Sequence, residues 1–194
     1  MKRFVAILFI TLSLSLSLSA QEHTRRPPAA APARPTPTPT PVPAADNGGW
    51  VRFNSVAGRF SVLMPEIPED KAETTQSSHG PYTTHLFIVR DTKNVYLIGW
   101  VDYDPGFNFN RQAELEANRD NFVKGINATL VSSRATQIDN FPVIEFTAET
   151  ADRTFASRVY MVGRRPYQIV IGTPKDESDA VATARFFNSF KVSP

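Results

Sequence analysis

The chain has 194 residues, of which 41% are hydrophobic and 21% charged, so it can form one folded domain with additional segments. It has no cysteine, which excludes disulfides, cysteine nucleophiles and thiolate metal sites. Five of its 21 basic and two of its 19 acidic residues precede Trp50, which leaves 16 basic and 17 acidic residues, and this near-neutral balance argues against a nucleic-acid partner.

The first 20 residues have the pattern of a secretory signal peptide. Lys2 and Arg3 precede an apolar run that ends in the small residues Ser19 and Ala20. We therefore expect export to the periplasm or the extracellular space. The alternative is an uncleaved leader that tethers the protein to a membrane, and this segment would then be its only membrane contact. The run is short for a membrane span and contains several serines.

Residues 21–49 are rich in Pro, Ala and Thr and show no apolar periodicity. Such a composition cannot bury a core, and closely spaced prolines favour the extended polyproline II conformation. We predict a disordered linker, which at ~3.1 Å per residue would reach on the order of 90 Å when fully extended. The folded domain is then residues 50–194.

The folded part begins with short strands separated by turn residues. Strands are predicted over residues 50–53 and 59–64, followed by a polar edge strand over 69–77 and a hairpin of 82–90 with 95–104. The strand starting at Val95 is apolar on both faces. One face carries Val95, Leu97 and Val101, and the other carries Tyr96, Ile98 and Trp100. A strand of this kind is central and covered on both sides.

Two helices are available to cover the sheet. The first is predicted over residues 111–126 with Asn110 as its N-cap, and the second is predicted to open at residues 176–178. Their packing stripes are Leu115, Phe122, Val123 and Ile126 in the first, and Val181, Ala184, Phe187 and the following Phe190 in the second.

Three antiparallel strands joined by tight turns dominate the second half of the domain. They are predicted over residues 143–150, 154–162 and 167–173, after a strand over 129–138. We expect the other strands to extend this sheet and the two helices to cover it.

Two motifs resemble exported bacterial proteins of the PsbP-like superfamily. The first reads Phe–x–Ser–x–x–Gly–x–Phe–Ser–Val–x–x–Pro, and the second reads Arg–Phe–x–x–Ser–Phe. Their residues are Phe53, Ser55, Gly58, Phe60, Ser61, Val62 and Pro65, and Arg185, Phe186, Ser189 and Phe190. The resemblance extends over residues 50–192 and implies an α+β fold: an α/β/α sandwich with helices on both faces of a central antiparallel sheet. Its best-known relatives dock onto photosystem II, but no motif for that role is present.

No catalytic motif is present in the sequence. There is no Gly-x-Ser-x-Gly elbow and no cysteine, so we expect no catalytic residues. His79 and His85 lack a third ligand nearby in sequence that zinc would need. We interpret them as a solvated turn histidine and a half-exposed strand histidine.

The candidate binding site follows the central strand. It comprises Trp100, Asp102, Tyr103, Asp104, Phe107 and Phe109. Asp102 and Asp104 point the same way at the strand end and form a candidate Ca²⁺ site, without the loop of an EF-hand; otherwise we expect no cofactor and no metal. Phe107 and Phe109, if exposed, would offer an apolar contact surface, and the alternative is that they pack under the first helix.

Three functions are consistent with these patterns. The favoured one is an exported, non-catalytic module of the bacterial cell envelope that binds an envelope protein or a small ligand through a sheet edge or the loop at Phe107. The alternatives are a secreted hydrolase whose site no motif reveals, and a structural element whose spacer matters more than its domain. A resemblance in fold does not distinguish these three functions.

Overall fold

The computed structural model describes residues 49–77, 80–108 and 110–193. The predicted signal peptide, the linker up to residue 48, His79 and Phe109 lie outside the described residues. The described part forms ten strands and two helices. They are β1 (Val51–Ser55), β2 (Phe60–Met64), β3 (Glu69–Ser77), β4 (Gly80–Arg90), β5 (Val95–Tyr103), α1 (Arg111–Gly125), β6 (Thr129–Ile138), β7 (Phe141–Glu149), β8 (Arg153–Val162), β9 (Arg165–Pro174), α2 (Ala180–Ser189) and β10 (Lys191–Val192).

A seven-stranded antiparallel sheet forms the centre of the domain, with strand order β3-β4-β5-β9-β8-β7-β6. The predicted meander is confirmed as β7, β8 and β9. Asp139 and Asn140 both have positive φ between β6 and β7, and Gly163 has φ 62 between β8 and β9. Two successive residues with positive φ, as at Asp139 and Asn140, form a turn whose twist matches that of the flanking strands of a hairpin. β3 and β6 are the edges of this sheet.

The prediction of an α/β/α sandwich is wrong. Strands make up 56% of the described residues, and the first two strands do not join the large sheet. Instead β1, β2 and β10 form a separate three-stranded antiparallel sheet, in which Lys191 pairs with Ser61 and Val192 with Phe60. This small sheet and α2 lie together on one face of the large sheet, while α1 lies on the other.

The segment between β2 and β3 separates the small sheet from the large one. Pro65 and Pro68 interrupt it, and proline cannot donate to a strand ladder, so β2 does not continue along the large sheet. Sequence periodicity shows which residues of a strand share a face, but it does not show which sheet the strand joins. The predicted face of β2 is correct, since Phe60, Val62 and Met64 are buried.

Coverage of β5 is unequal on its two sides. It lies between β4 and β9, as its apolar sequence predicts. Tyr96, Ile98 and Trp100 are fully buried beneath the small sheet and α2, but Leu97 on the other side is only partly buried against the α1 cluster.

The first helix follows both its predicted cap and its predicted stripe. The Asn110 side chain accepts hydrogen bonds from the backbone N–H groups of Gln112 and Ala113, as an N-cap does. In α1, Leu115 and Phe122 are buried as predicted, with Val123 and Ile126 partly buried against the same cluster.

The predicted stripe of α2 is partly wrong. The helix begins at Ala180 with Asp179 as its N-cap, later than predicted. Val181 is exposed and Ala184 lies at the surface, whereas Phe186, Phe187 and Phe190 enter the core. Ala182 and Phe186 contribute to the inward face in place of Val181 and Ala184, because Ala182, Phe186 and Phe190 follow one another at intervals of four.

Candidate functional site

The large sheet separates the residues of the predicted binding site. Alternation along β5 places Trp100 and Asp102 on the face that carries the small sheet and Tyr103 on the face that carries α1. Phe107 lies beside Tyr103, with 4.6 Å between their ring centroids. Phe109 is outside the described residues. The six residues therefore do not form one surface patch.

The loop at Phe107 is held inside the domain. Phe107 is 1% exposed, so it is buried and offers no surface to a partner. Arg164, in the turn between β8 and β9, donates hydrogen bonds to the backbone carbonyls of Phe107 at 2.5 Å and Asp104 at 3.2 Å.

Both aspartates of the candidate Ca²⁺ site have partners in the fold. Asp102 Oδ1 accepts from Arg165 Nε at 2.6 Å and lies 2.5 Å from Arg165 Nη2, while Arg165 Nη1 donates to the carbonyl of Ala57. Asp104 Oδ1 accepts from the backbone N–H of Gly106 at 2.9 Å. Across residues 49–77, 80–108 and 110–193, no group of three potential metal ligands is present. Arg165 thus connects Asp102 on the large sheet to the turn between β1 and β2 of the small sheet.

His85 occupies a more constrained position than its sequence suggested. Its ring stacks on Trp100 at 4.2 Å and 3° from parallel. Nδ1 lies 3.8 Å from Asp70 on β3, and Nε2 lies 3.7 Å from Asp102 on β5. No hydroxyl among the described residues hydrogen bonds to this ring, so the part of the chain that the structure describes shows no nucleophile–base pair at His85. The arrangement links three neighbouring strands.

A buried acid in α1 escaped the sequence analysis. Glu114 is 4% exposed, and its Oε1 accepts hydrogen bonds from the Tyr103 hydroxyl and from Asn118 Nδ2. Burial raises the pKa of Glu114, and these two hydrogen bonds only partly oppose the shift. Burial and the neighbouring Glu114 charge also raise the pKa of Tyr103. Helical spacing could have indicated that Glu114 is buried, because it lies four residues before Asn118 and eight before Phe122, on the same side of the helix.

The two edges of the large sheet differ in their protection. β3 carries the charged residues Glu69, Asp70, Lys71 and Glu73, which discourage pairing with another strand. β6 carries only Arg134, and a register shift at Val131 marks a β-bulge. Leu130 is 38% exposed and Val131 56% exposed. β6 is therefore the longer and less protected edge.

A shallow groove, which we call the α2 trough, lies between α2 and the open sheet face of β6, β7 and β8. Its two parts have volumes of about 410 and 660 Å³ and share Ala156, Arg158 and Phe187. Cross-strand rows of the floor include Arg134–Glu145–Arg158 and Ser132–Thr147–Ala156. Because Ser132 and Arg134 belong to β6, the trough opens at the sheet edge.

An ion-pair chain crosses one end of the α2 trough. Glu145 contacts Arg134 through one carboxylate oxygen and accepts from Arg158 Nε at 2.8 Å through the other. Burial alone would raise the pKa of Glu145, but the two guanidinium groups outweigh it and hold the pKa below its ordinary value. Arg158 also lies 4.7 Å over the ring of Phe187, a cation–π contact that joins the chain to α2.

Comparison with solved structures identifies the architecture. The domain is similar to the solution structure of cyanobacterial PsbP (CyanoP) from Synechocystis sp. PCC 6803, with a TM-score of 0.50 and 11% sequence identity. The match covers 80% of this chain and 97% of that one. The fold is PsbP-like. No protein-family model and no curated protein matches the sequence.

The PsbP-like comparison confirms the resemblance that the two motifs indicated, and at this identity it concerns the fold alone. Both motifs are structural. Gly58 accepts a hydrogen bond from the Tyr167 hydroxyl through its carbonyl, and Ser189 accepts one from the backbone N–H of Leu63. Among the described residues, no helix is both long and apolar enough to cross a membrane.

Proposed function

We propose that this PsbP-like domain is an exported, non-catalytic binding module of the bacterial cell envelope. Its contact surface is the β6 edge, where an extended segment of a protein partner adds as a further strand. One observation carries the proposal: β6 is a ten-residue edge strand with a single charged side chain and two exposed aliphatic ones. The signal-peptide pattern of residues 1–20 supports export.

Strand addition uses groups that every polypeptide has. An edge strand presents unpaired N–H and C=O groups, and main-chain hydrogen bonds to a partner strand supply affinity while alternate side chains supply specificity. The bulge at Val131 leaves one aliphatic residue outside the β6–β7 ladder, beside Leu130. These two side chains give an incoming strand an apolar contact in addition to its hydrogen bonds.

The acidic groups of the domain support a role without catalysis. Asp102 is paired with Arg165, Glu145 with Arg134 and Arg158, and Glu114 with Tyr103. Each pair connects separate strands, layers or helices, so these carboxylates hold parts of the fold together. A hydrolytic site would instead bring a base to a nucleophile.

The proposal is tested by charging the edge. Lysine on an edge strand blocks pairing with a further strand, so the double variant Leu130→Lys/Val131→Lys should lose its partner while the exposed positions keep the fold intact. The matched control is Ala72→Lys/Gln76→Lys on β3, at the opposite edge.

The measurement is affinity capture from envelope extract with the tagged full-length protein, after chemical cross-linking. Wild type and the β3 variant should retain the same discrete protein, and the β6 variant should lose it, at equal melting temperatures. Retention of that protein by the β6 variant would show that the edge is not the contact surface.

A further inference from the structure

We propose that the segment added at β6 carries an acidic residue directly opposite Arg134, so that the partner is an extended polypeptide with aspartate or glutamate facing the α2 trough. This inference rests on the proposed strand addition at β6 and names the chemistry of the strand that is added. Three observations carry it: the ion-pair chain that ends at Arg134, the excess positive charge of that chain, and the hydroxyl groups on either side of Arg134.

The ion-pair chain runs across three neighbouring strands and ends at the edge of the sheet. Arg134 on β6 pairs with Glu145 on β7, and Glu145 pairs with Arg158 on β8, so the charges alternate in sign along one cross-strand row. Among the described residues, no strand lies on the other side of β6. A strand added there would lie ~4.8 Å beyond β6, and its residue opposite Arg134 would become the next member of the row.

This row carries more positive than negative charge. In the part of the chain that the structure describes, Glu145 is the only carboxylate in a salt bridge with Arg134 or Arg158, so two guanidinium groups share one carboxylate. The unbalanced charge lies at the edge, because the side chain of Arg134 is 73% exposed and that of Arg158 is 22% exposed. Opposite charges on directly opposed residues stabilise an antiparallel pair, and like charges destabilise it. A carboxylate opposite Arg134 therefore continues the alternation, whereas lysine would meet like charge.

The face of β6 toward the α2 trough offers hydrogen-bond donors to such a carboxylate. A guanidinium group has five N–H donors, and within the described residues Arg134 uses only Nη2, which donates to Glu145 Oε2. Ser132 and Thr136 lie two positions before and after Arg134 on the same face, and neither hydroxyl has a hydrogen bond to another described residue. Diagonal neighbours on a sheet face are within reach of a long side chain, so a glutamate opposite Arg134 can accept from these groups as well.

Two nearer sources of an added strand lack the acidic residue. β6 itself has no acidic side chain, so a second copy that pairs through the same strand has none to place opposite Arg134. Residues 23–45 of the chain contain no acidic residue either, and they are rich in proline, which cannot donate to a strand ladder. The occupant is therefore a segment of a different protein.

The test uses the purified full-length protein and three end-blocked, fluorescent nine-residue peptides of alternating threonine and valine. The peptides differ only in the central residue, which is glutamate, glutamine or lysine. The edge variants are Arg134→Gln, which removes the charge, and Arg134→Glu, which reverses it. The matched controls, Lys71→Gln and Lys71→Glu, make the same charge changes on β3 at the opposite edge of the sheet.

Fluorescence anisotropy at low ionic strength should show an order of affinity in wild type. The glutamate peptide should bind about threefold more tightly than the glutamine peptide, and the lysine peptide about threefold more weakly. Arg134→Gln should bind the three peptides alike, and Arg134→Glu should prefer the lysine peptide. The Lys71 controls should keep the wild-type order. Added salt should reduce the preference, because ions screen exposed charges.

Two results would overturn the inference. One is equal binding of the glutamate and lysine peptides by wild type. The other is a loss of the preference in the Lys71 controls that equals the loss in the Arg134 variants. Melting temperatures show whether the variants are folded, and Arg134→Gln alone decides if repulsion from Glu145 unfolds Arg134→Glu.

The edge variant Leu130→Lys/Val131→Lys separates this inference from the proposed function. If it loses all three peptides while wild type binds them equally, strand addition stands and the acidic preference fails. If wild type binds none of them, or the edge variant binds them as wild type does, the proposed function fails together with the inference. Dimerisation of wild type in sedimentation that the edge variant abolishes would place a second copy at β6 and overturn the inference.

Discussion

The hydroxyl of Tyr103 donates a hydrogen bond to the buried carboxylate of Glu114 and thereby joins the end of β5 to the first turn of α1. Asn118 Nδ2 donates to the same oxygen at 2.9 Å and to the Glu114 carbonyl at 2.8 Å. A buried carboxylate is costly unless such donors satisfy it. The contact therefore fixes where α1 sits on the large sheet.

Removing the Tyr103 donor should destabilise the domain. Tyr103→Phe leaves the ring packed on Phe107 but takes one hydrogen bond from a buried carboxylate, which costs about 1–3 kcal/mol of unfolding free energy. Urea unfolding measures the change. The control is Glu116→Gln, on the exposed side of the same helix, which should stay within about 0.5 kcal/mol of wild type. A Tyr103→Phe protein as stable as wild type would contradict this account of the contact.

The pH dependence of stability should expose Glu114. Burial raises its pKa above the ordinary value of 4.5, so the folded state holds the proton more tightly than the unfolded chain. The free energy of unfolding then falls as pH rises from 4.5 through the folded-state pKa. In Glu114→Gln this loss is absent, so the variant should gain stability relative to wild type between pH 4 and pH 7 in urea titrations. A difference in unfolding free energy between the two proteins that does not change with pH would refute this prediction.

Glu145 should behave in the opposite way. Burial alone would raise its pKa, but Arg134 and Arg158 outweigh burial and lower it below 4.5. Its contribution to stability is present above that value and is lost as pH falls through the folded-state pKa. Glu145→Gln should therefore cost about 1 kcal/mol at pH 7 and progressively less in acid. A cost that grows on acidification would show that the two arginines do not stabilise the charged form.

Local chemistry in the sequence was sufficient to predict the hairpins of this domain and the Asn110 cap of α1. The turn at Asp139 and Asn140 marks the hairpin of β6 and β7, and the alternation of Ile144, Phe146 and Ala148 specifies β7 without reference to the rest of the chain. The same rule of strand alternation divides the residues of the predicted binding site, because Asp102 and Tyr103 are neighbours on a strand and must face opposite sides. Strand alternation applied to β5 was enough to separate them.

The sequence does not indicate which distant strands pair or which of their residues lie opposite each other. The stack of His85 on Trp100 exists because β4 and β5 pair those two residues, and the Asp70 and Asp102 contacts require β3 and β5 to flank β4. The second layer has the same origin: β10 follows α2, yet it pairs with β2, more than 120 positions earlier in the chain. Nothing local to Phe60 or Val192 indicates that contact.

Substitution at His85 distinguishes a binding module from a hydrolase. His85→Phe keeps an aromatic ring on Trp100 and removes both contacts to Asp70 and Asp102, which at partly exposed positions are worth about 0–1 kcal/mol. We expect partner capture by the full-length protein to equal that of wild type. Loss of the biological phenotype in a variant that still captures its partner and keeps its melting temperature would favour catalysis at this histidine.

Gly58 should tolerate no side chain, because Phe60 occupies the space that one would need. A Cβ at this position would lie 2.5 Å from Phe60 Cε1 and 2.7 Å from Ser55 Oγ. The Phe60 ring cannot move away at low cost, since it packs against Trp100 and Phe190 with 5.6 Å between centroids.

Gly58→Ala should therefore lower the free energy of unfolding by about 1–3 kcal/mol, the usual effect of overpacking. Val56→Ala, in the same turn but 92% exposed, should change it by less than about 0.5 kcal/mol. Urea titration of the two variants gives the comparison. Because the turn lies on the small sheet and β6 at the far edge of the large one, folded Gly58→Ala protein should still capture its partner. Equal stability of both variants would mean that the Phe60 ring yields, and that the small sheet packs more loosely on the large one than these distances imply.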